Sequence, residues 1–226
     1  MASRFPSLSA KCGSDRRPFR TVFCIVLVMA VCAPLLAQQP TAPAAPQVLV
    51  AVKLRDPNFR ILHIKFRAFY NKFENNVVPL TDYDLAASAS DEIMNALSGD
   101  ARARWRLATT DEKMYTESYF DEKTAQGNLP ASIAADRLLL VDIGGFSLST
   151  HSTAHRMFAV GALKMIDRPS GRILWKKGVV HKLEGYKGHT DEELLADNQK
   201  MLKELLNKLI EEFSVEIKKK VAENPI

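Results

Sequence analysis

Cysteine is scarce, and where it falls matters more than how little there is. The 226 residues hold three, Cys12, Cys24 and Cys32, all within the first 37. The chain beyond them has no disulfide, no thiolate nucleophile and no thiolate metal site. Long apolar runs are equally rare: only residues 21–37 approach a membrane span, which excludes a multi-pass membrane protein. Charge of one sign is also lacking once the first 37 residues are set aside. They carry five basic residues against Asp15, whereas the 26 basic and 25 acidic residues that follow nearly cancel the rest of the formal +5. The basicity therefore belongs to the leader and gives no ground for a nucleic-acid partner. The whole chain is 46% hydrophobic and 25% charged, enough to build a globular core.

Residues 1–37 read as a signal peptide or N-terminal anchor. A basic region ends at Arg20, an apolar stretch runs through residues 22–32, Pro34 interrupts it, and Ala37 is small enough to precede a cut. Cleavage near Ala37 predicts a periplasmic or secreted protein. Retention would anchor it in the inner membrane through residues 21–37, the one route to membrane contact. Arg16-Arg17-Pro18-Phe19 resembles a twin-arginine signal, but so apolar a stretch fits an ordinary signal better. Val31 before Cys32 fits a lipidation site poorly. Residues 38–46, QQPTAPAAP, form a Pro-rich linker. Residues 47–226 are assigned to a single α+β domain.

Within that domain, 48–54 is a continuous apolar run, expected to be a strand covered on both faces. Arg55-Asp56-Pro57-Asn58 supplies turn residues. A second strand follows from Ile61, with Leu62, Ile64, Phe66, Ala68 and Tyr70 expected toward the core and His63, Lys65 and Arg67 toward water. Asn75, Asn76 and Pro79 break the pattern. A helix is expected over 82–97, capped near Ser88 or Ser90 and ended by Gly99. Trp105 begins a short strand, a short helix follows within 112–126, and 130–135 suits a helical turn. Residues 136–143 form a buried strand, Gly144-Gly145 allow a bulge, and the Ser/Thr-rich 146–155 reads as an exposed strand or loop. Two apolar runs, 158–166 and 172–180, flank Asp167-Arg-Pro-Ser-Gly171 as a hairpin, with Trp175 in the core in phase with Ile173. Thr190 and Glu193 make a capping box. Behind it an apolar stripe from Leu194 to Val221 predicts one long helix. The expected fold is α+β: a mixed sheet of about five strands packed by a central helix and a long C-terminal helix.

Few residues suggest chemistry. His151 and His155 have the four-residue spacing of a metal pair, but no third ligand accompanies them, and they read as ordinary loop histidines. Gly144-Gly145-Phe146-Ser147 is neither a nucleophile elbow nor a phosphate loop. Asp82, Asp84, Asp91 and Glu92 suit the start of a helix. Arg102, Arg104 and Arg106 suit the wet face of a strand. With no complete catalytic motif, a non-enzymatic protein without cofactor is expected.

The phrases "VLVAVKL", "IKFRAFYNKFENNVVPLTDYDLAASASDEIMNALSG", "RWRLATTDE", "DRLLLVDIGGFSLS" and "ALKMIDRPSGRILW" together resemble the α+β envelope domains of the CsgG, LpoB and TolB N-terminal type, over residues 47–215. That resemblance implies a non-enzymatic part of envelope machinery. The chain departs from the group in lacking a convincing lipidation site, pore-forming hairpins and propeller repeats. An exported bacterial protein-interaction or assembly-accessory module is expected, with another envelope protein or a second copy as partner. Its contact residues are expected at Ser147 and Ser149 and at the hairpin tip Arg168, Pro169 and Arg172. The alternative is a periplasmic small-ligand or metal-binding protein, or a hydrolase, with a site near residues 144–155.

Overall fold

Seven strands form one mixed sheet, where the sequence pattern predicts about five. The computed structural model describes residues 44–67, 70–120, 129–151, 154–183 and 189–226. The leader and most of the linker lie outside them. The strands are β1 (Gln47–Leu54), β2 (Phe59–Arg67), β3 (Tyr70–Val78), β4 (Arg104–Leu107), β5 (Arg137–His151), β6 (Ala154–Asp167) and β7 (Ile173–Lys182). The helices are α1 (Leu85–Ser98), α2 (Thr110–Phe120) and α3 (Asp191–Ala222). β3 is the strand its own composition conceals. It pairs with β2 alone, and an end strand needs no apolar run, because water satisfies its outer edge.

β5 organises the sheet. Along one edge it pairs antiparallel with β6, and β7 adds to β6. Along the other edge it pairs parallel first with β1, from Val48↔Arg137 to Leu54↔Ile143, and then with β2, from Phe59↔Phe146 to Ile64↔His151. The turn residues at 55–58 therefore do not reverse the chain. Asp56 accepts the Asn58 amide at 3.0 Å and pairs with Arg60, folding four residues into a kink. β5 spans the same gap with Gly144 and Gly145, its register shifting there, and Gly145 has φ 154°. Two strands thus share one neighbour end to end. β4 continues the sheet beyond β1, parallel to it.

The face carrying α1 and α3 is called inner here, and the opposite face outer. The inner core includes Val48 and Val50, Leu139, Val141 and Ile143, Met157, Leu163 and Met165, Trp175 and Val179. Leu49, Ala51, Leu138, Leu140 and Ile166 face the outer side against Tyr119, Ile133 and Ala135. β1 is thus covered on both faces, as its continuous apolar run predicts.

β2 has the opposite phase from the one expected. Phe59 and Ile61 are buried in the inner core, and His63, expected in water, reaches α3. The odd positions face inward because the kink at 55–58 sets the parity, which alternation alone leaves open. The side chains of Ile64 through Tyr70 lie outside the described residues. Likewise Phe146 and Leu148 are buried, so the Ser/Thr-rich segment is a core strand and not an exposed one. A register shift between Met165 and Ile166 also takes Ile173 out of phase with Trp175. Trp175 enters the inner core and Ile173 packs on the outer cluster.

α1 begins after Asp84, whose carboxylate accepts the Ala87 amide at 2.9 Å, so the cap is Asp84 and not Ser88 or Ser90. α3 carries the predicted capping box: Thr190 Oγ1 accepts the Glu193 amide, and Glu193 accepts the Thr190 amide. Leu202, Leu206, Leu209, Ile210, Phe213, Ile217 and Val221 are all at most 1% exposed. Each such side chain contributes roughly 1.5–3 kcal/mol of burial. Phe213 meets Phe146 edge to face, with centroids 6.3 Å apart. α3 approaches so closely at Gly161 that a Cβ there would lie 3.1 Å from Phe213 Cζ and from the Asp142 carbonyl.

α3 is not the single continuous helix expected. Ala196 is extended, and Asp197, Asn198 and Gln199 are left-handed, with φ of 48°, 55° and 62°. No glycine or proline marks the break. Three contacts compensate for it. The Gln199 carboxamide donates to the Pro79 carbonyl at 2.9 Å and accepts the Thr81 amide at 3.1 Å. Leu194 is fully buried, and Asp191 meets His63. A straight helix would carry all three away from the sheet.

Candidate interaction surface

Among the described residues, the outer face is covered over one half only. α2 lies across β1 and the first half of β5, held by the apolar packing of Tyr119 and by polar contacts. Arg106 of β4 donates to both oxygens of Glu112, at 2.6 and 2.8 Å. This guanidinium, with the Thr109 amide, lowers the Glu112 carboxyl to about 2. Lys53 pairs with Glu117 and sits over the Phe120 ring, 5.6 Å from its centre. At the end of α2, the Lys164 ammonium donates to the Tyr119 carbonyl at 2.7 Å. That carbonyl belongs to the last turn, which needs outside partners and favours a cation. Lys164 is 9% exposed, and this bond helps to satisfy its buried charge.

Beyond Phe120 the character of the face changes. Among the described residues no helix packs on the outer side of β6 and β7 past this point. In register across the strands lie Asp142, Ala162 and Gly178, then Val160 opposite Val180, then Ser147, Phe158 and Lys182. Val180 is 64% exposed, and Val160 and Phe158 are half-buried. Arg156, Lys176 and Lys182 are exposed around this apolar strip. A cleft of about 250 Å³ marks the border between the two halves, with Leu140, Ala162 and Gly178 lining it and Phe120 at one side. A Cβ on Gly178 would meet nothing within 4 Å. Asp142 at the cleft is held by Arg55, whose Nε donates at 2.8 Å.

The expected contact residues divide. Ser147 and Ser149 stand on this outer face, beside Phe158 and Arg156 in register. Pro169 and Arg172 are exposed at the β6–β7 tip. Arg168 is not a free tip residue. Its guanidinium donates to the carbonyls of Pro130 at 2.8 Å and Ala135 at 3.3 Å, which ties the tip to the segment before β5. The tip itself is built on Asp167, whose carboxyl is held below its usual range by the Ser170 hydroxyl and amide, with Arg137 adding to the effect. Gly171 takes φ 66°, which favours glycine. His151 and His155 belong to the β5–β6 hairpin, with Thr150 opposite His155 and His151 opposite Ala154. The helical face that would pair them does not exist. Their side chains lie outside the described residues, and among the described residues no group of three metal-ligating side chains forms.

No sequence pattern points to the contacts that His63 makes. Its Nε2 lies 3.0 Å from Asp191 Oδ2 and its Nδ1 lies 2.7 Å from Thr150 Oγ1. Hydroxyl, imidazole and carboxylate stand in line, but the ring nitrogens are used in the reverse of the serine-protease order. The Thr150 hydroxyl also lies 3.4 Å from the Leu62 carbonyl. The group braces the start of α3 against β2 and β5. His181 and Glu212, 2.8 Å apart, make a second brace farther along α3. Arg102, expected on a wet strand face, instead donates to the carbonyls of Val221 and Ala222 at the far end of α3, 3.1 Å from each.

Among the described residues, no helix is long and apolar enough to cross a membrane. No protein-family model matches this sequence, and no curated protein matches it. Solved structures resemble it in fold. A hypothetical protein from Chlamydia trachomatis is 13% identical with a TM-score of 0.46, the match covering 79% of this chain and 99% of that one. A Xanthomonas campestris protein described as DUF330 is 10% identical with a TM-score of 0.44, covering 81% and 85%. The LpoB C-terminal domain from Salmonella enterica is 13% identical with a TM-score of 0.28, covering 66% and 90%. At these identities and scores the likeness is a limited one of fold, and no activity, ligand or partner passes from these proteins to this chain. The resemblance to CsgG and TolB rests on the sequence phrases alone.

Proposed function

We propose that this chain is an exported protein of a bacterial envelope that binds another envelope protein and performs no catalysis of its own. The observation that carries this reading is the outer face, which the described residues cover over one half. Where α2 lies on it, Leu138 and Leu140 are buried. Where α2 ends, the same face presents Val180, 64% exposed, in a basic surround. Apolar surface rimmed by polar groups is the mark of an interaction site. The export half of the reading comes from residues 1–37, which have a basic start, one apolar stretch and a small residue at Ala37. Cleavage there would free the α+β domain, residues 47–226, with the Pro-rich segment 38–46 at its start. Retention would tether it to the inner membrane.

The test is crosslinking in cells of a C-terminally tagged full-length chain at native expression, followed by mass spectrometry. Recovery of one envelope protein at near-equal amount, with a bait whose first peptide begins at Gln38 or retains residues 21–37 in the membrane fraction, is the expected result. Recovery of the bait alone, or of a bait confined to the cytosol, would refute the proposal.

A further inference from the structure

We infer that the partner binds across the uncovered part of the outer face, placing an apolar side chain in the cleft over Ala162 and Gly178 and acidic groups against Lys176 and Lys182. This rests on the adaptor reading above and adds the face and the chemistry of the partner. Three features of the surface lead to it. The first is shape. Ala162 and Gly178 are direct cross-strand neighbours, and their small size leaves the depression of about 250 Å³, the space of about eight water molecules. A glycine inside a strand weakens it and often marks a close approach by another molecule. Gly178 has open space where its Cβ would stand. A pocket of this kind seats a single anchoring side chain, the arrangement that carries most of the energy at protein interfaces.

The second feature is the apolar floor next to it. Val160 and Val180 face each other directly across β6 and β7, and the exposed Val180 extends the apolar contact beyond the cleft. The third is charge. Lys176 and Lys182 point to the same side of β7, six positions apart, which is about 20 Å along a strand. Arg156 stands at the end of the strip on β6. A partner with carboxylates at both ends of a short apolar segment matches that spacing. A second copy of this chain presenting the same face does not, since it would bring the same lysines together.

The experiment places the photocrosslinker p-benzoylphenylalanine at Val180 in the full-length chain in cells, with Val215 as a control because it is exposed on α3. The expected result is an adduct at Val180 whose partner peptide carries Asp or Glu. Lys176→Glu with Lys182→Glu should reduce that adduct about ten-fold or more. Gly178→Val, which fills the cleft with a residue suited to a strand, should do the same while thermal unfolding of the purified chain is unchanged or shifted upward. An adduct at Val215 alone would overturn the inference and leave the adaptor reading standing on another face. An adduct between two copies, or one indifferent to the charge reversals, would overturn it too. So would binding of the purified chain to phosphatidylglycerol vesicles that the same reversals abolish, because the surface would then be a membrane contact. No adduct at either position, together with bait-only recovery in the capture above, would remove both readings.

Discussion

Replacing Asn198 by glycine and, separately, by alanine tests the break in α3 by sign as well as by size. If α3 ran straight through 191–222, position 198 would be an ordinary helical site, and alanine would exceed glycine by about 0.8–1.0 kcal/mol. In the structure Asn198 has φ 55° and ψ 39°, between two other left-handed residues. There an alanine carries a cost of about 1–2 kcal/mol that glycine does not. Against it stands the extra freedom of glycine in the unfolded chain, about 0.5–1 kcal/mol. Glycine should therefore be the more stable variant by about 0.5–1 kcal/mol, a reversal of about 1.3–2 kcal/mol relative to the straight helix. Both changes leave the Gln199 bonds to Pro79 and Thr81 in place, so only the backbone is varied. Urea unfolding of the two purified variants, followed by far-UV circular dichroism, reads the difference directly. In thermal melts the glycine variant should unfold about 1–4 °C higher. An alanine variant more stable than the glycine one would refute the left-handed turn and the account of why α3 is broken.

Other consequences follow from the packing and the ion pairs. Gly161→Ala should destabilise by about 1–3 kcal/mol in urea unfolding, because its Cβ would press on Phe213 and on the Asp142 carbonyl; an unchanged midpoint would mean that α3 lies farther from the sheet. Glu112, lowered to about 2 from an ordinary 4.5, favours the fold above pH 4.5, and that contribution is lost as pH falls through about 2. Allowing for the partly exposed Arg106, Glu112→Gln should remove about 1–2 kcal/mol of the stability lost between about pH 6 and about pH 3, so an identical acid limb in wild type and variant would count against the pair. His63→Ala should cost about 1–2 kcal/mol and raise amide exchange in the first turn of α3. If exchange there matched wild type, the brace to Asp191 and Thr150 would not hold that turn.

Sequence by itself determined the features whose causes are local. The capping box at Thr190 and Glu193, the hairpin around Asp167 to Gly171, the apolar β1 and the stripe of α3 each lie within a few residues of the side chains that produce them, so their periodicity and turn chemistry can be read directly. The α+β class followed from those pieces, and Pro169 and Arg172 are exposed at the hairpin tip while Ser147 and Ser149 are half-buried. Tertiary structure alone decided the rest, because the deciding partner lies far along the chain. The inward phase of β2 depends on a kink set against the Gly144-Gly145 bulge of β5. The left-handed turn in α3 depends on a glutamine bonded to residues 118 and 120 positions away. The guanidinium of Arg168 is tied down by carbonyls more than thirty residues earlier. The candidate surface has the same origin. Ala162, Gly178, Val160 and Val180 are unremarkable one by one, and only the β6–β7 register turns them into an apolar strip beside a cleft that no other described residue covers.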